Sequence, residues 1–221
     1  AGRHRLHGAV VTEDDQSTGA AAQAVRQVLK APSLDFVGIH SHIGSQVFDM
    51  SGFEVAAHRV VGLLAEIVSE HGIEVPHLDL GGGYGIAYVD SDDPLAPEQV
   101  AQALAQIVAT ECSAAGIPLP RVSIEPGRAI VGPTTVTLYS IGTTKTVDLD
   151  GGATRHYISV DGGMSDNIRT ALYGAQYTAV IANRVSAAKP TRSRVVGKHC
   201  ESGDIVIDEI ALPRDGSAGD L

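Results

Sequence analysis

Apolar and polar positions along the chain fall into two textures that meet near Pro133. Before it, helical spacing alternates with short apolar runs. Ala21, Ala24, Val25, Val28 and Leu29 recur at helical intervals within residues 17–30, and Pro32 closes the pattern. Residues 34–39 are short and β-rich enough for a strand. Ser51 and Glu54 form an S-x-x-E capping box opening a helix that carries Val60, Leu64 and Ile67 and ends at Gly72. Residues 75–80 predict a second strand. Pro97 suits the first turn of another helix, with Val100, Leu104, Ile107 and Val108 on one face and Gly116 just beyond. Residues 121–125 predict a third strand. Strand and helix in alternation call for a parallel sheet covered by helices.

After Pro133 the pattern is β-like. Residues 134–147 are dominated by Thr, Val and Ile, and Asp150-Gly151-Gly152 signals a turn. Residues 155–160 and 204–207 alternate as strands do. Helix is expected only over residues 166–173 and the Ala-rich stretch that follows. Residues 1–133 are therefore read as an α/β part and residues 134–221 as a mainly β part. Residues 1–18 carry no clear pattern.

Composition narrows the function. Hydrophobic residues make up 43% and charged residues 19%, enough for a packed core, while aromatics at 4% and no Trp leave that core to Ala, Val, Ile and Leu. A net charge of −10 argues against nucleic acid and anionic membrane as partners, since both are polyanions. No apolar run approaches the length needed to span a bilayer. Cys112 and Cys200 are too few and too far apart for a disulfide framework, so a reducing cytoplasm is expected. Cys112 falls inside an amphipathic helix and reads as packing.

The chemistry-bearing residues gather at the carboxyl ends of the predicted strands. The first ends in His40-Ser41-His42-Ile43-Gly44-Ser45-Gln46, the second in Asp79-Leu80-Gly81-Gly82-Gly83-Tyr84-Gly85, and the third in Glu125-Pro126-Gly127-Arg128. Such ends line the active-site face of a β/α barrel. Each motif has a plainer reading: His40 and His42 as a packed, surface or metal pair, the glycines as a tight loop, Glu125 as a turn residue. Glycines also let backbone N–H groups approach an anion with nothing projecting into the site. The run lacks the G-x-G-x-x-G pattern of a dinucleotide site. Three such endings on consecutive strands favour a functional reading. Further on, Arg169 and Tyr173 stand four apart, on one face if helical. Cys200 beside Glu201, in a polar Gly-flanked loop, is unlike the usual buried cysteine.

The series HSHIGS, LDLGGGYG, EPGR, DGGMSDNIR-x-ALYGA and GKHCESGD closely resembles the diaminopimelate decarboxylase family, across residues 19–221. That family belongs to the fold-type III pyridoxal-phosphate enzymes, with eukaryotic ornithine decarboxylase and alanine racemase. The resemblance implies the C-terminal part of a β/α barrel followed by a mainly β domain, and a homodimer with sites at the subunit interface. It implies pyridoxal 5'-phosphate as cofactor, a small amino acid as substrate, and no metal. His42 matches the residue stacked on the pyridine ring. Ser45, the glycine run Gly81, Gly82 and Gly83, and the segment Glu125, Pro126, Gly127 and Arg128 match positions that hold the cofactor, largely through its phosphate. Glu125 matches the carboxylate paired with the pyridine nitrogen, where it keeps the ring protonated and a better electron sink. Arg128, Arg169, Tyr173 and Glu201 match substrate-binding positions. Cys200 matches the proton donor, and both Cys200 and Glu201 match positions that reach the partner subunit's site.

The implied reaction takes meso-2,6-diaminopimelate to L-lysine and CO2. The runner-up is a related decarboxylase of ornithine, arginine or carboxynorspermidine. Arg169 weighs against a diamine-forming enzyme, which has less use for a cation facing a distal carboxylate. A non-catalytic pyridoxal-phosphate barrel would need neither Cys200 nor Glu201. A zinc hydrolase built on His40 and His42 would need further ligands, where the second strand offers glycines. The chain begins at Ala1 and ends at Leu221, between the family's cofactor-anchoring lysine and a late tyrosine, so an inactive internal fragment is expected. With a sheet that cannot close, its first strand is expected to present an unpaired apolar edge.

Overall fold

The computed structural model describes residues 19–221, together with the backbone of two short strands nearer the N-terminus, β1 (His4–Leu6) and β2 (Val10–Val11). The rest of residues 1–18 lies outside the described residues, including Ser17 of the first predicted helix. Contacts divide the chain into two units, Ala1–Ala87 with Asp93–Thr134, and Tyr88–Asp92 with Thr135–Leu221.

The first unit alternates as its pattern predicts: α1 (Ala20–Lys30), β3 (Leu34–Phe36), β4 (Gly38–Ser41), α2 (Ser51–His71), β5 (His77–Asp79), α3 (Pro97–Ala115), β6 (Arg121–Ser123) and the short α4 (Gly127–Val131). Strands β2, β4, β5 and β6 form one parallel sheet in that order. Register puts Ile39 beside Leu78 and Leu78 beside Val122, with His40 beside Asp79 one step on. Period-two alternation sends these rows to opposite faces. Ile39 and Leu78 meet Phe53, Leu64 and Ile67 of α2 and Leu104 and Val108 of α3 in one core, which also buries Cys112. Each fully buried side chain of this size contributes about 1.5–3 kcal/mol. His40 and Asp79 are left for the other face. Gly72 and Gly116, both left-handed, end α2 and α3.

Two expectations are corrected here. The single strand over residues 34–39 is two strands, because β3 pairs with β1 while β4 pairs with β2 and β5. The chain changes partners at Val37. Pairing with β2, Val10 to His40 and Val11 to Ser41, covers the β4 edge that the sequence left open. The Ser51 capping box does not form either. Met50 is the N-cap, and Asp49 accepts the Ser51 N–H at 2.9 Å and the Ser51 hydroxyl. A carboxylate just before a helix outbids a serine hydroxyl for those N–H groups and suits the helix dipole.

The second unit is a four-stranded sheet in the order β10-β9-β8-β7, from β7 (Ile141–Asp148), β8 (Thr154–Val160), β9 (Pro190–Val196) and β10 (Ile205–Pro213). β7–β8 and β9–β10 are antiparallel, while β8–β9 is parallel. Its core is Ile141, Ile158, Val160, Val195, Val206, Ile207 and Leu212. β9 was not expected. Its charged residues, Arg192 and Arg194, alternate with buried Ser193 and Val195, which is the signature of a half-buried strand. Helix is confined to α5 (Arg169–Tyr173), and the Ala-rich stretch after it is not helical. Gly174, left-handed at φ 61, ends α5 with its N–H on Thr170 C=O at 3.0 Å.

Candidate active site

At the carboxyl ends of the parallel strands, the row facing away from the helices is polar. His40 Nε2 lies 3.1 Å from Glu125 Oε2. His40, Asp79 and Glu125 bring their ligand atoms within 4.8 Å of one another. His42 does not join that group, so the two histidines of the H-x-H motif do different things. The Gly82 N–H donates to His42 Nδ1 at 3.3 Å, which leaves the ring proton on Nε2 in a neutral imidazole and the exposed ring held at one edge. Ser41 turns the other way, into the core. Tyr84 stacks on Phe53 at 4.9 Å, and burial, then the nearby Asp79 charge, pushes its phenol up to about 12.

The glycine run has a different first duty from an open anion cradle. A Cβ on Gly81 would lie 2.3 Å from Ser41 O, one on Gly82 2.4 Å from Glu125 O, and one on Gly83 2.2 Å from Gly44 O. Three strand-end loops cross backbone to backbone there, which side chains would forbid. The Gly81 N–H donates to Asp79 Oδ1 at 2.8 Å and that of Gly82 to His42. Among the described residues only the Gly83 N–H of the three makes no hydrogen bond. Beside it lie Gly44 and the exposed Ser45. Val47 and Tyr84 extend the stitching as a parallel bridge.

Arg128 projects from the second position of α4, and its Nη1 donates to Gln46 Oε1 at 3.2 Å. Gln46 also bonds both backbone groups of Ile86. The sequence marks Gln46 only by its place directly after the HSHIGS motif. Its left-handed backbone and its partners on two other strand ends are tertiary facts.

In the second unit, the Arg169 guanidinium lies 5.6 Å from the Tyr173 ring centroid, so α5 does present both on one face. Asn167 Oδ1 accepts the Arg169 N–H and the Tyr177 hydroxyl, both at 3.3 Å. Asp166 accepts the Gly163 N–H at 2.8 Å and the Tyr139 hydroxyl. Burial, then this bond, pushes Tyr139 up to about 12. Cys200 and Glu201 sit exposed in the loop between β9 and β10. Lys198 N–H donates to Gly162 O at 3.1 Å, and the Asp204 carboxylate accepts from Met164 and His199, so this loop and the Gly162–Met164 turn are joined. Neither His199 nor Asp204 drew notice as a functional group in the sequence.

Residues 7–132 match the model of the pyridoxal-dependent decarboxylase pyridoxal-binding domain, and residues 130–221 that of the C-terminal sheet domain of the same enzymes. The chain belongs to the pyridoxal-dependent decarboxylases. It is 55% identical over 209 residues to diaminopimelate decarboxylase of Mycobacterium tuberculosis, covering 93% of this chain and 47% of that protein. The Bacillus subtilis enzyme of that name is 41% identical over 207 residues, covering 94% and 46%. The crystal structure of diaminopimelate decarboxylase from M. jannaschii in complex with L-lysine superposes with a TM-score of 0.76 at 28% identity, covering 92% of this chain and 44% of that one. The Helicobacter pylori enzyme complexed with L-lysine gives 0.74 at 25%, covering 91% and 46%. The chain thus spans about half the length of the relatives it matches. The described fold is part of the family's β/α barrel, then its sheet domain.

Membership in this family brings pyridoxal phosphate as cofactor, and the first unit's donor set fits it. An aromatic nitrogen heterocycle carrying a phosphate needs a flat neighbour, a carboxylate for its ring nitrogen and cationic or N–H donors for its phosphate. Groups of those kinds are present at one set of strand ends, as the His42 ring, the Glu125 carboxylate, and the Gly83 N–H with Ser45 and Arg128. No helix among the described residues is long and apolar enough to cross a membrane.

Proposed function

We propose that this chain is part of a diaminopimelate decarboxylase, which converts meso-2,6-diaminopimelate to L-lysine and CO2. The observation that carries this reading is the 55% identity to the M. tuberculosis enzyme of that name over 93% of the chain. Bound pyridoxal phosphate would supply the electron sink that a departing CO2 requires.

The chain's own residues bind, orient and move protons. His42 offers its ring face to the pyridine, held in orientation by Gly82. Glu125, steadied by His40, keeps a negative charge at the pyridine nitrogen so that the nitrogen stays protonated. The Ser45 hydroxyl and the Gly83 N–H receive the phosphate, and Arg128 an oxyanion of cofactor or substrate, with Pro126 and Gly127 setting the start of α4. Gly81 and Gly82 act through the close loop crossing that brings these groups together. Arg169, over the Tyr173 ring, receives the substrate's distal carboxylate, and Glu201 its distal ammonium. Cys200 gives its thiol proton to the carbon that lost CO2. The protein works as a homodimer in which Cys200 and Glu201 serve the partner's site. Their exposure at a loop tip supports that arrangement.

A chimera tests the reading: this chain replaces the matching 209 residues of the M. tuberculosis enzyme. L-lysine and CO2 from meso-diaminopimelate is the expected outcome. A folded chimera that binds pyridoxal phosphate but decarboxylates only ornithine or arginine would refute it.

A further inference from the structure

Gln46 has the only left-handed backbone of any non-glycine among the described residues, at φ 62. Glycine adopts that conformation freely and glutamine does not, so the side chain has to offset what the backbone gives up. It has the partners to do so. Its Nε2 donates to Ile86 C=O at 2.6 Å, and its Oε1 accepts the Ile86 N–H at 3.3 Å. This two-point clamp on one residue decides which end of the amide is oxygen. The same oxygen accepts Arg128 Nη1 at 3.2 Å. One amide therefore ties the loop after β4, the glycine loop after β5 and the helix after β6. It engages one N–H of a planar fork and leaves the remaining donors pre-aimed at a flat or tetrahedral oxyanion.

We propose that Gln46 is a positioning residue: clamped on the Ile86 backbone, it fixes the Arg128 guanidinium in the orientation that receives an oxyanion. That oxyanion is either the cofactor's phosphate or a substrate carboxylate. The inference rests on the decarboxylase reading above, and the experiment separates the two.

Gln46→Gly suits the backbone and removes the amide, while Gln46→Met keeps the stem and removes the amide. Both substitutions are made in the chimera described above, and calorimetry of its pyridoxal-phosphate-loaded form with pimelate, an unreactive seven-carbon dicarboxylate, reads the carboxylate arm. Reconstitution of apoenzyme with pyridoxal phosphate, followed by absorbance, reads the phosphate arm. Both variants should weaken one of these ligands by about ten-fold or more, the worth of one aligned hydrogen bond to a charged group. The Gln46→Gly protein should unfold at or above the wild-type temperature, which a merely structural glutamine would not allow. In an Arg128→Lys background the same substitutions should cost nothing further, because the amide acts through the guanidinium. Weaker pimelate assigns the oxyanion to substrate, and weaker pyridoxal phosphate assigns it to cofactor. Loss of neither, or equal loss with and without Arg128, overturns the proposal. A folded chimera that binds neither ligand, with Gln46 intact, overturns the decarboxylase reading and this inference with it.

Discussion

The Asp204 carboxylate accepts both the backbone N–H and the ring Nδ1 of His199, each at 2.7 Å, one residue before Cys200. It also takes the Met164 N–H at 2.6 Å. A Cβ on Gly163 or Gly197 would fall 2.6 or 2.2 Å from its oxygens, so the main chain closes around it. A buried carboxylate with that many donors is a hub, and it joins the loop that carries Cys200 and Glu201 to the turn that leads to Arg169.

That hub makes the second unit acid-labile in a stated direction. Burial pushes the Asp204 carboxyl up, but the N–H groups of His199 and Met164 and the His199 ring more than offset it and hold it below the usual carboxylate range. A carboxyl depressed in the native state contributes stability that is fully present above its unfolded value of about 3.9 and is lost as pH falls through the native value. Asp220, held down first by Arg184, adds to the same slope. Urea midpoints measured from pH 7 down to pH 2 should therefore fall in acid. Asp204→Asn should be less stable at pH 7 and show a shallower acid fall. A parallel curve for the variant would mean that Asp204 is not a source of the slope.

Gly82→Ala tests the loop crossing without any change of backbone preference, because Gly82 does not sit at positive φ. The added methyl would meet Glu125 O at 2.4 Å, and the obstacle is main chain, which cannot rotate away. The expected cost is about 1–3 kcal/mol or more in unfolding free energy, with Glu125 displaced. Weaker retention of pyridoxal phosphate in dialysis should accompany it. Wild-type stability together with wild-type retention would show that the loops have room to part.

The alternation of strand and helix up to Pro133 was legible because α2 and α3 bury one face, with Leu64, Ile67, Leu104 and Val108 at helical spacing. The strand-end position of His42 and Glu125 followed from that alternation alone. What stayed hidden depends on partners distant in sequence. Val37 breaks a continuous β-rich run only because β3 and β4 join different strands. Ser51 loses its capping role to Asp49, two residues earlier. Gly81 and Gly82 read as a phosphate loop, yet their spacing cannot reveal that Ser41 and Glu125 main chain lies against them. Gln46, His40 and Asp204 are ordinary polar residues until Ile86, Glu125 and His199 are in place.

If Cys200 serves the neighbouring subunit, two dead variants of the chimera should rescue each other. Cys200→Ala keeps an intact barrel face, and Glu125→Ala keeps an intact Cys200. In a mixed dimer one site collects both defects and the other collects none. Random exchange of equal amounts makes about half of the dimers mixed, each with one working site, so activity should return to roughly a quarter of wild type. No recovery, with subunit exchange verified by mass spectrometry, would put Cys200 in its own subunit's site or outside any site.

Arg169 should govern which substrate is used more than how fast the chemistry runs. Its guanidinium rests on the Tyr173 ring at 5.6 Å, and its backbone N–H is tied to Asn167, so α5 holds it in a restricted set of poses. A charge-assisted bond to a distal carboxylate is worth about 1.5–3 kcal/mol, so Arg169→Ala in the chimera should lose about ten- to a hundred-fold in kcat/KM for diaminopimelate. A substrate without that carboxylate never used the contact and should lose far less. Arg169→Lys should recover only part, since an ammonium offers neither the planar fork nor the same stacking on Tyr173. Were Arg169 only a brace for the turn around Asp166, every substrate would suffer alike and the unfolding temperature would drop with the activity. That joint pattern would remove Arg169 from the substrate site.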